Sequence, residues 1–152
     1  MEKSKKHSWS FDNIGGSTRV KINNGNDIAH LDELDPKMWT VLSCPSSGLE
    51  IDEKSLKYID TDNDGKIRVN DIIATAKWVT TVLKNADMLL KGDDKIDIEQ
   101  FNQEEAAGKK LYNSAKQILA NLNKEGTTIS LADTADSAAI FAKTRYNGDG
   151  II

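Results

Sequence analysis

Twelve consecutive residues, Asp60–Asp71, constrain the fold of this chain more than any other segment. Aspartates stand at positions 1, 3, 5 and 12 of the segment, with glycine at position 6 and isoleucine at position 8. Alternate residues of a tightly turning chain can aim their carboxylates at one point, and a hard divalent cation takes about six to eight oxygen ligands. Gly65 permits the sharp turn that an ordinary side chain resists, and Ile67 is expected to face the core. We therefore expect a cation-binding loop, called the acidic loop below.

The residues on both sides of the acidic loop have the spacing of helices. Leu56 and Ile59 precede the loop by four positions and one position. After it, apolar residues recur at helical intervals up to about Lys84, at Ile72, Ala76, Val79 and Leu83. A run of Asp, Asn and Gly is also typical of an ordinary solvated turn. The flanking periodicity favours a helix–loop–helix unit over that alternative.

The pattern D-x-D-x-D-G-x-I with an acidic residue at position 12 resembles the EF-hand loop. The resemblance implies a calcium ion, with magnesium possible, held by four aspartate side chains and one lysine carbonyl: Asp60, Asp62, Asp64, Lys66 and Asp71. Arg68 at position 9 would leave room for a water molecule. The EF-hand pattern ends in glutamate, whereas Asp71 is one methylene shorter and offers both oxygens less easily. We therefore expect weaker calcium binding and better tolerance of magnesium.

A second copy of the pattern lies at the end of the sequence, in Arg145–Ile152. Gly150 and Ile152 match the glycine and the isoleucine of the acidic loop. Arg145, however, places a cation where the first ligand would stand, and positions 9 to 12 would follow Ile152. We interpret this segment as a degenerate loop whose role is to pair with another loop.

The short strand around Ile67 needs a partner for its backbone polar groups. Three segments are candidates: Lys95–Ile98, Thr128–Leu131 and Arg145–Ile152. We expect Lys95–Ile98 to belong to a metal-free partner loop, because no ligands precede it at the required positions. Thr128–Leu131 is then expected to pair with Ile151–Ile152.

The N-terminal residues show the alternating pattern of β-strands instead of helical spacing. Ser8–Phe11 and Thr18–Ile22 alternate polar and apolar residues around a glycine pair, which predicts a β-hairpin. Two short helices should follow, one from Asn26 to Leu34 and one starting at Asp35. Cys44 should end the second helix with its sulfur packed inside.

The whole chain is therefore predicted to be mainly α-helical, with EF-hand-like helix–loop–helix pairs and a small N-terminal hairpin. Residues 1–45 should hold the hairpin and two short helices, residues 46–108 an EF-hand pair, and residues 109–152 a second pair truncated in its last loop. Within the last part, apolar periodicity predicts helices over Lys110–Leu122 and Leu131–Phe141. Trp39 and Trp78 are expected in the core, because aromatic residues at helical positions most often pack there.

Composition excludes several classes of function. With 38% hydrophobic and 29% charged residues, the 152-residue chain is typical of a soluble globular protein. A net charge of −4 without a basic stripe argues against nucleic acid, and no apolar run reaches the ~20 residues of a membrane span. The first residues lack the apolar region of a secretory signal, so a cytoplasmic location is expected. Cys44 is the single cysteine and only two histidines exist, which predicts no nucleophilic catalysis and no enzyme.

Beyond the acidic loop, the chain resembles the N-terminal region of larger, functionally uncharacterised bacterial EF-hand proteins. The resemblance lies in Leu31–Trp39, Leu42–Pro45, Gly48–Glu50, the acidic loop with Trp78, and Phe141–Ile152. It implies that the sequence is part of a longer polypeptide, and it brings no established activity.

The sequence thus favours a calcium module whose ion stabilises the fold, because methionine is too scarce for an adaptable, exposed target groove. Two alternatives remain open. A dockerin-like interaction domain would bind a cohesin-type protein partner, and Asp71 at position 12 and the Asn147–Gly150 segment resemble dockerin loops. The long separation of Asp60 from Arg145 argues against it. In the other alternative, the chain regulates or scaffolds a catalytic domain downstream in the same polypeptide.

Overall fold

The computed structural model of the chain describes residues 6–39 and 42–135. Of these residues, 48% are helical and 19% lie in strands, so the fold is mixed α/β and the expectation of a mainly α-helical protein is wrong. The described strands form three two-stranded sheets. Strand content is higher than expected because short segments next to the loops satisfy their backbone groups by pairing with one another.

The predicted N-terminal hairpin is confirmed. Strand β1, Ser10–Ile14, pairs antiparallel with β2, Ser17–Lys21, in a register that places Ser10 opposite Lys21. Gly15 and Gly16 connect the strands with φ angles of +59° and +81°. Such angles are accessible to glycine at little cost, which is why the glycine pair locates the turn.

Helix α1, Gly25–Ala29, follows the hairpin. The Asn24 side chain caps it by accepting a hydrogen bond from the Asp27 backbone N–H at 3.0 Å. Two 3-10 turns come next, at Leu31–Glu33 and Pro36–Met38. A helix was expected to start at Asp35. Among the described residues only the second 3-10 turn is found there, and a strand begins soon after it.

That strand is β3, Ser43–Pro45, and it carries the half-buried Cys44. Helix α2, Glu53–Ile59, strand β4, Lys66–Arg68, and helix α3, Val69–Val82, follow in order. Strand β4 pairs antiparallel with β3, which places Ile67 opposite Cys44. Both the expected partner of the Ile67 strand and the expected helical position of Cys44 are therefore wrong.

Strand β5, Lys95–Asp97, and strand β6, Thr128–Ser130, form the third sheet. Between them lies helix α4, Ala106–Asn121, and helix α5, Leu131–Ala135, follows β6. Two further 3-10 segments are Ala86–Lys91 and Ile98–Gln100. Strand β6 thus pairs with the Lys95 segment, whereas sequence reasoning assigned these two strands to different partners. The proposed partner Ile151–Ile152, the Arg145–Ile152 loop and the end of the predicted last helix lie outside the described residues.

The chain forms two compact units. The first unit takes residues from 1–80 and 86–90, and the second takes residues from 81–85 and 91–152. The finer division at residues 45 and 108 stays a prediction. The first unit buries Leu34, Leu56, Ile67 and Ala76, whereas Trp78 is 52% exposed and is not the core residue expected. The second unit has a core of Ile98, Ala115, Leu119 and Ile129.

Within the described ranges, no helix combines the length and the apolar character that crossing a membrane requires.

Candidate metal centre

The acidic loop lies between two helices of the first unit. Asp60 is the C-terminal cap of α2, and its backbone N–H donates to the Leu56 carbonyl at 3.0 Å. Asp71 lies in the first turn of α3, directly after strand β4. Because the helix end, the strand and the helix start are anchored by Leu56 and Ile67 in the core, the two ends of the loop are held together.

Three of the predicted ligands converge. Carboxylate oxygens of Asp60, Asp62 and Asp71 all lie within 4.8 Å of one another. Asp60 and Asp71 are only 5% and 4% exposed, whereas Asp62 lies at the surface. Carboxylates are rarely this buried unless they are paired, hydrogen-bonded or bound to a metal, so the contacts of each one are informative.

Backbone N–H groups of the loop hold the Asp60 carboxylate. It accepts hydrogen bonds from the Asp64 N–H at 3.2 Å and from the Gly65 N–H at 2.9 Å. These contacts require a tight turn, in which Asn63 and Gly65 have φ angles of +57° and +81°. The glycine at position 6 therefore has the role that the sequence predicted, since a left-handed φ is accessible to it without a steric cost.

The Asp71 carboxylate is held from both ends of the loop. One oxygen accepts from the Thr61 N–H at 3.1 Å and from the Thr61 hydroxyl, and the other accepts from the Arg68 N–H at 2.8 Å. The Thr61 hydroxyl, followed by the Arg68 N–H, lowers the pKa of Asp71. Sequence reasoning missed Thr61, because the loop pattern does not specify the residue at position 2.

Asp62 and Asp64 differ in their electrostatic surroundings. Desolvation, with the negative charges of Asp64 and Asp71 nearby, raises the pKa of Asp62. The Asp64 carboxylate instead pairs with the guanidinium of Arg68, which lowers the pKa of Asp64. Asp64 lies outside the group of three converging carboxylates. Arg68, which the sequence assigned only to a water position, is thus a cation within the loop.

The last predicted ligand, Lys66, lies at the start of β4, opposite Pro45. Its backbone N–H donates to Asp64 Oδ1 at 2.9 Å, which fixes the chain as it leaves the turn. A ligand role for the Lys66 carbonyl stays a prediction.

Three carboxylate oxygens this close together can share one metal ion, because calcium and magnesium both bind oxygen ligands at about 2.0–2.6 Å. Within residues 6–39 and 42–135, no second group of His, Cys, Asp or Glu side chains meets the same distance limit.

Elsewhere in the first unit the structure pairs two residues that the sequence did not connect. His7 Nε2 lies 2.8 Å from Asp27 Oδ1, with both side chains largely buried. The His7 ring also stacks on His30, with ring centroids 4.6 Å apart. Asp27 accepts a further bond from the Asn23 N–H at 2.8 Å. These contacts attach the start of the chain to α1.

No protein-family model, no curated protein and no solved structure matches this chain. The functional assignment therefore depends on the contacts within the acidic loop.

Proposed function

We propose that the chain is a calcium-binding, EF-hand-like module that holds one ion in the acidic loop. Asp60, Asp62 and Asp71 would be the first ligands, and Asp64 and the Lys66 carbonyl would complete the shell. The observation that carries this proposal is the convergence of three carboxylates within 4.8 Å, two of them on buried residues. A bound ion would supply the positive charge that such a group lacks.

The contacts of Asp60 and Asp71 support a site that is already formed. Each carboxylate is oriented by N–H groups of the loop itself, so little side-chain entropy remains to be lost on binding. Asp64 would exchange its Arg68 contact for the ion, which is a small movement at the surface. A site of this kind favours a structural role, in which the ion stabilises the first unit rather than opening it.

Asp71 sets the expected metal preference. Its shorter side chain favours coordination by one oxygen, and both oxygens already accept hydrogen bonds from the loop, from Thr61 on one side and from the Arg68 N–H on the other. We therefore propose a moderate affinity for calcium and measurable competition by magnesium.

We propose that the chain binds a metal ion and has no catalytic role. We also propose that it is located in the cytoplasm. Neither a dockerin-like interaction nor regulation of a further domain of the same polypeptide is favoured by a specific contact among the described residues.

A calcium titration of the metal-stripped chain tests the proposal, with the Gly65 and Ile67 amide resonances as reporters. Saturable, one-site shifts around the loop are expected. Asp60→Ala should remove them, whereas Glu50→Ala removes the same charge from an exposed position of the first unit and should retain them. Unchanged calcium affinity in the Asp60→Ala variant, or no saturable response in the unmodified chain, would contradict the proposal.

A further inference from the structure

Thr61 contacts Asp71 through both its backbone and its side chain. Its N–H donates to Asp71 Oδ1 at 3.1 Å, and its hydroxyl donates to the same oxygen. The other oxygen, Asp71 Oδ2, accepts from the Arg68 N–H at 2.8 Å. Thr61 is exposed and Asp71 is buried, so a residue at the surface holds a carboxylate in the interior.

These three hydrogen bonds limit how Asp71 can meet a metal ion. An ionised carboxylate has about four lone-pair sites, two on each oxygen. Thr61 occupies both sites of Oδ1, and the Arg68 N–H occupies one site of Oδ2. The remaining site lies on Oδ2. Asp71 can therefore coordinate an ion through one oxygen while Thr61 keeps both of its hydrogen bonds.

We propose that Thr61 is a positioning residue that sets the metal preference of the acidic loop, because its hydroxyl keeps Asp71 Oδ1 occupied. This inference rests on the calcium site proposed above. One oxygen from each ligand proposed there, with a water molecule beside Arg68, gives the ion about six oxygens. That number satisfies magnesium, which is octahedral, and is the minimum for calcium, which takes about six to eight. A second oxygen from Asp71 would favour calcium alone.

A matched pair of variants separates the hydroxyl from the rest of the residue. Thr61→Val removes the hydroxyl but keeps the branched shape and the backbone N–H, and Thr61→Ser keeps the hydroxyl. Because Thr61 is exposed, neither change opens a cavity in the core. Calcium and magnesium affinities of the full chain and of both variants are measured by competition calorimetry.

The expected result is a change in selectivity. Loss of a group that supports a metal ligand costs about 10- to 100-fold in affinity. Magnesium should show this loss in full in Thr61→Val, whereas calcium should recover part of it by binding the freed Oδ1. The ratio of calcium affinity to magnesium affinity should therefore rise by about 10-fold in Thr61→Val and stay unchanged in Thr61→Ser.

An unchanged or lower ratio in Thr61→Val, or an equal rise in Thr61→Ser, would overturn the proposal. Such a result would leave the calcium site itself in place, because the unmodified chain would still bind the ion. Absence of saturable binding by the unmodified chain would overturn both.

Infrared difference spectroscopy gives a readout that does not depend on the folding of a variant. The antisymmetric stretch of a carboxylate moves to lower frequency when both of its oxygens bind one ion. The unmodified chain should lack this lower band with either metal, and Thr61→Val should gain it with calcium. A lower band in the calcium-loaded unmodified chain would overturn the proposal even where Thr61→Val fails to fold.

Discussion

The acidic loop has a counterpart in the second unit, residues 122–133, and the two differ in the charge that faces their last aspartate. Ile67 and Ile129 are the buried centres of β4 and β6. Asp71 accepts from the Arg68 N–H at 2.8 Å, and Asp133 accepts from the Ser130 N–H at the same distance. Strand and helix start are thus built alike in both loops, whereas the turns differ: left-handed φ angles occur at Asn63 and Gly65 in the acidic loop and at Asn123 and Gly126 in its counterpart.

The position of Asp62 in the acidic loop is occupied by Lys124 in the counterpart loop. The Lys124 ammonium donates to Asp133 Oδ2 at 2.6 Å and, with the Ser130 contacts, lowers the pKa of Asp133 to about 2. In the acidic loop, Asp71 faces Asp60 and Asp62 instead. One loop therefore neutralises its aspartate with a side chain of the protein, whereas the other collects negative charge.

The two loops therefore keep the same strand and helix start with opposite charge arrangements. Aspartates at positions 1, 3 and 5 of the acidic loop are replaced by Leu122, Lys124 and Gly126 in the counterpart loop. The side chains at these positions decide whether the last aspartate meets an internal cation or further negative charge.

Asp62→Lys should convert the acidic loop into the type found in the second unit. We expect calcium affinity to fall by more than the ~100-fold that loss of a supporting residue costs, because a ligand is lost and a cation is introduced. Isothermal calorimetry checks this, and Glu50→Lys is the control, since it makes the same charge change at an exposed site. Retention of calcium binding by Asp62→Lys would contradict the claim that the charge at this position distinguishes the two loops.

Calcium should stabilise the two loops unequally. At 100 times its dissociation constant, a ligand specific for the folded state adds about 2.7 kcal/mol to the free energy of unfolding. Hydrogen exchange at the Ile67 amide should slow by about 100-fold at this concentration, by the same relation. The Ile129 amide should exchange at an unchanged rate. Equal protection of both amides would refute a site confined to the acidic loop.

Lys124→Met should remove the internal cation of the counterpart loop. The pKa of Asp133, about 2 in the unmodified chain, should rise toward the ordinary value because its ammonium partner is lost. Since the folded-state pKa is lowered, the stabilisation by Asp133 is present above pH ~4 and is lost as the pH falls through about 2. Carboxyl NMR titration measures the shift, with Lys110→Met as the control. An unchanged pKa would assign the effect to Ser130 alone.

Arg68→Ala should have the smallest effect. The guanidinium pairs with Asp64 at the surface, with both side chains more than a third exposed. Such pairs contribute little, so releasing Asp64 should raise calcium affinity by less than about 5-fold. Competition against a fluorescent chelator resolves a change of this size. A fall in affinity would show that Arg68 orients Asp64 toward the ion instead of competing with it.

Elements specified by neighbouring residues were predictable from the sequence. The glycine pair located the hairpin turn, and helical periodicity located α3 and α4. The converging carboxylates were also predictable from neighbouring residues, because one segment of twelve residues contains both the aspartates and the glycine that lets the chain turn. Their spacing, with Leu56 and Ile67 anchored in the core, brings Asp60, Asp62 and Asp71 into one group.

The tertiary structure decided which segments met. Ile67 pairs with Cys44, which the sequence placed at the end of a helix, and Ile96 pairs with Ile129, which the sequence assigned to another partner. It also decided that Trp78 is exposed and that His7 reaches Asp27. The physical reason is that short strands carry little register information of their own. Their partners are selected by which edges the helices bring together, and that depends on contacts distant in sequence.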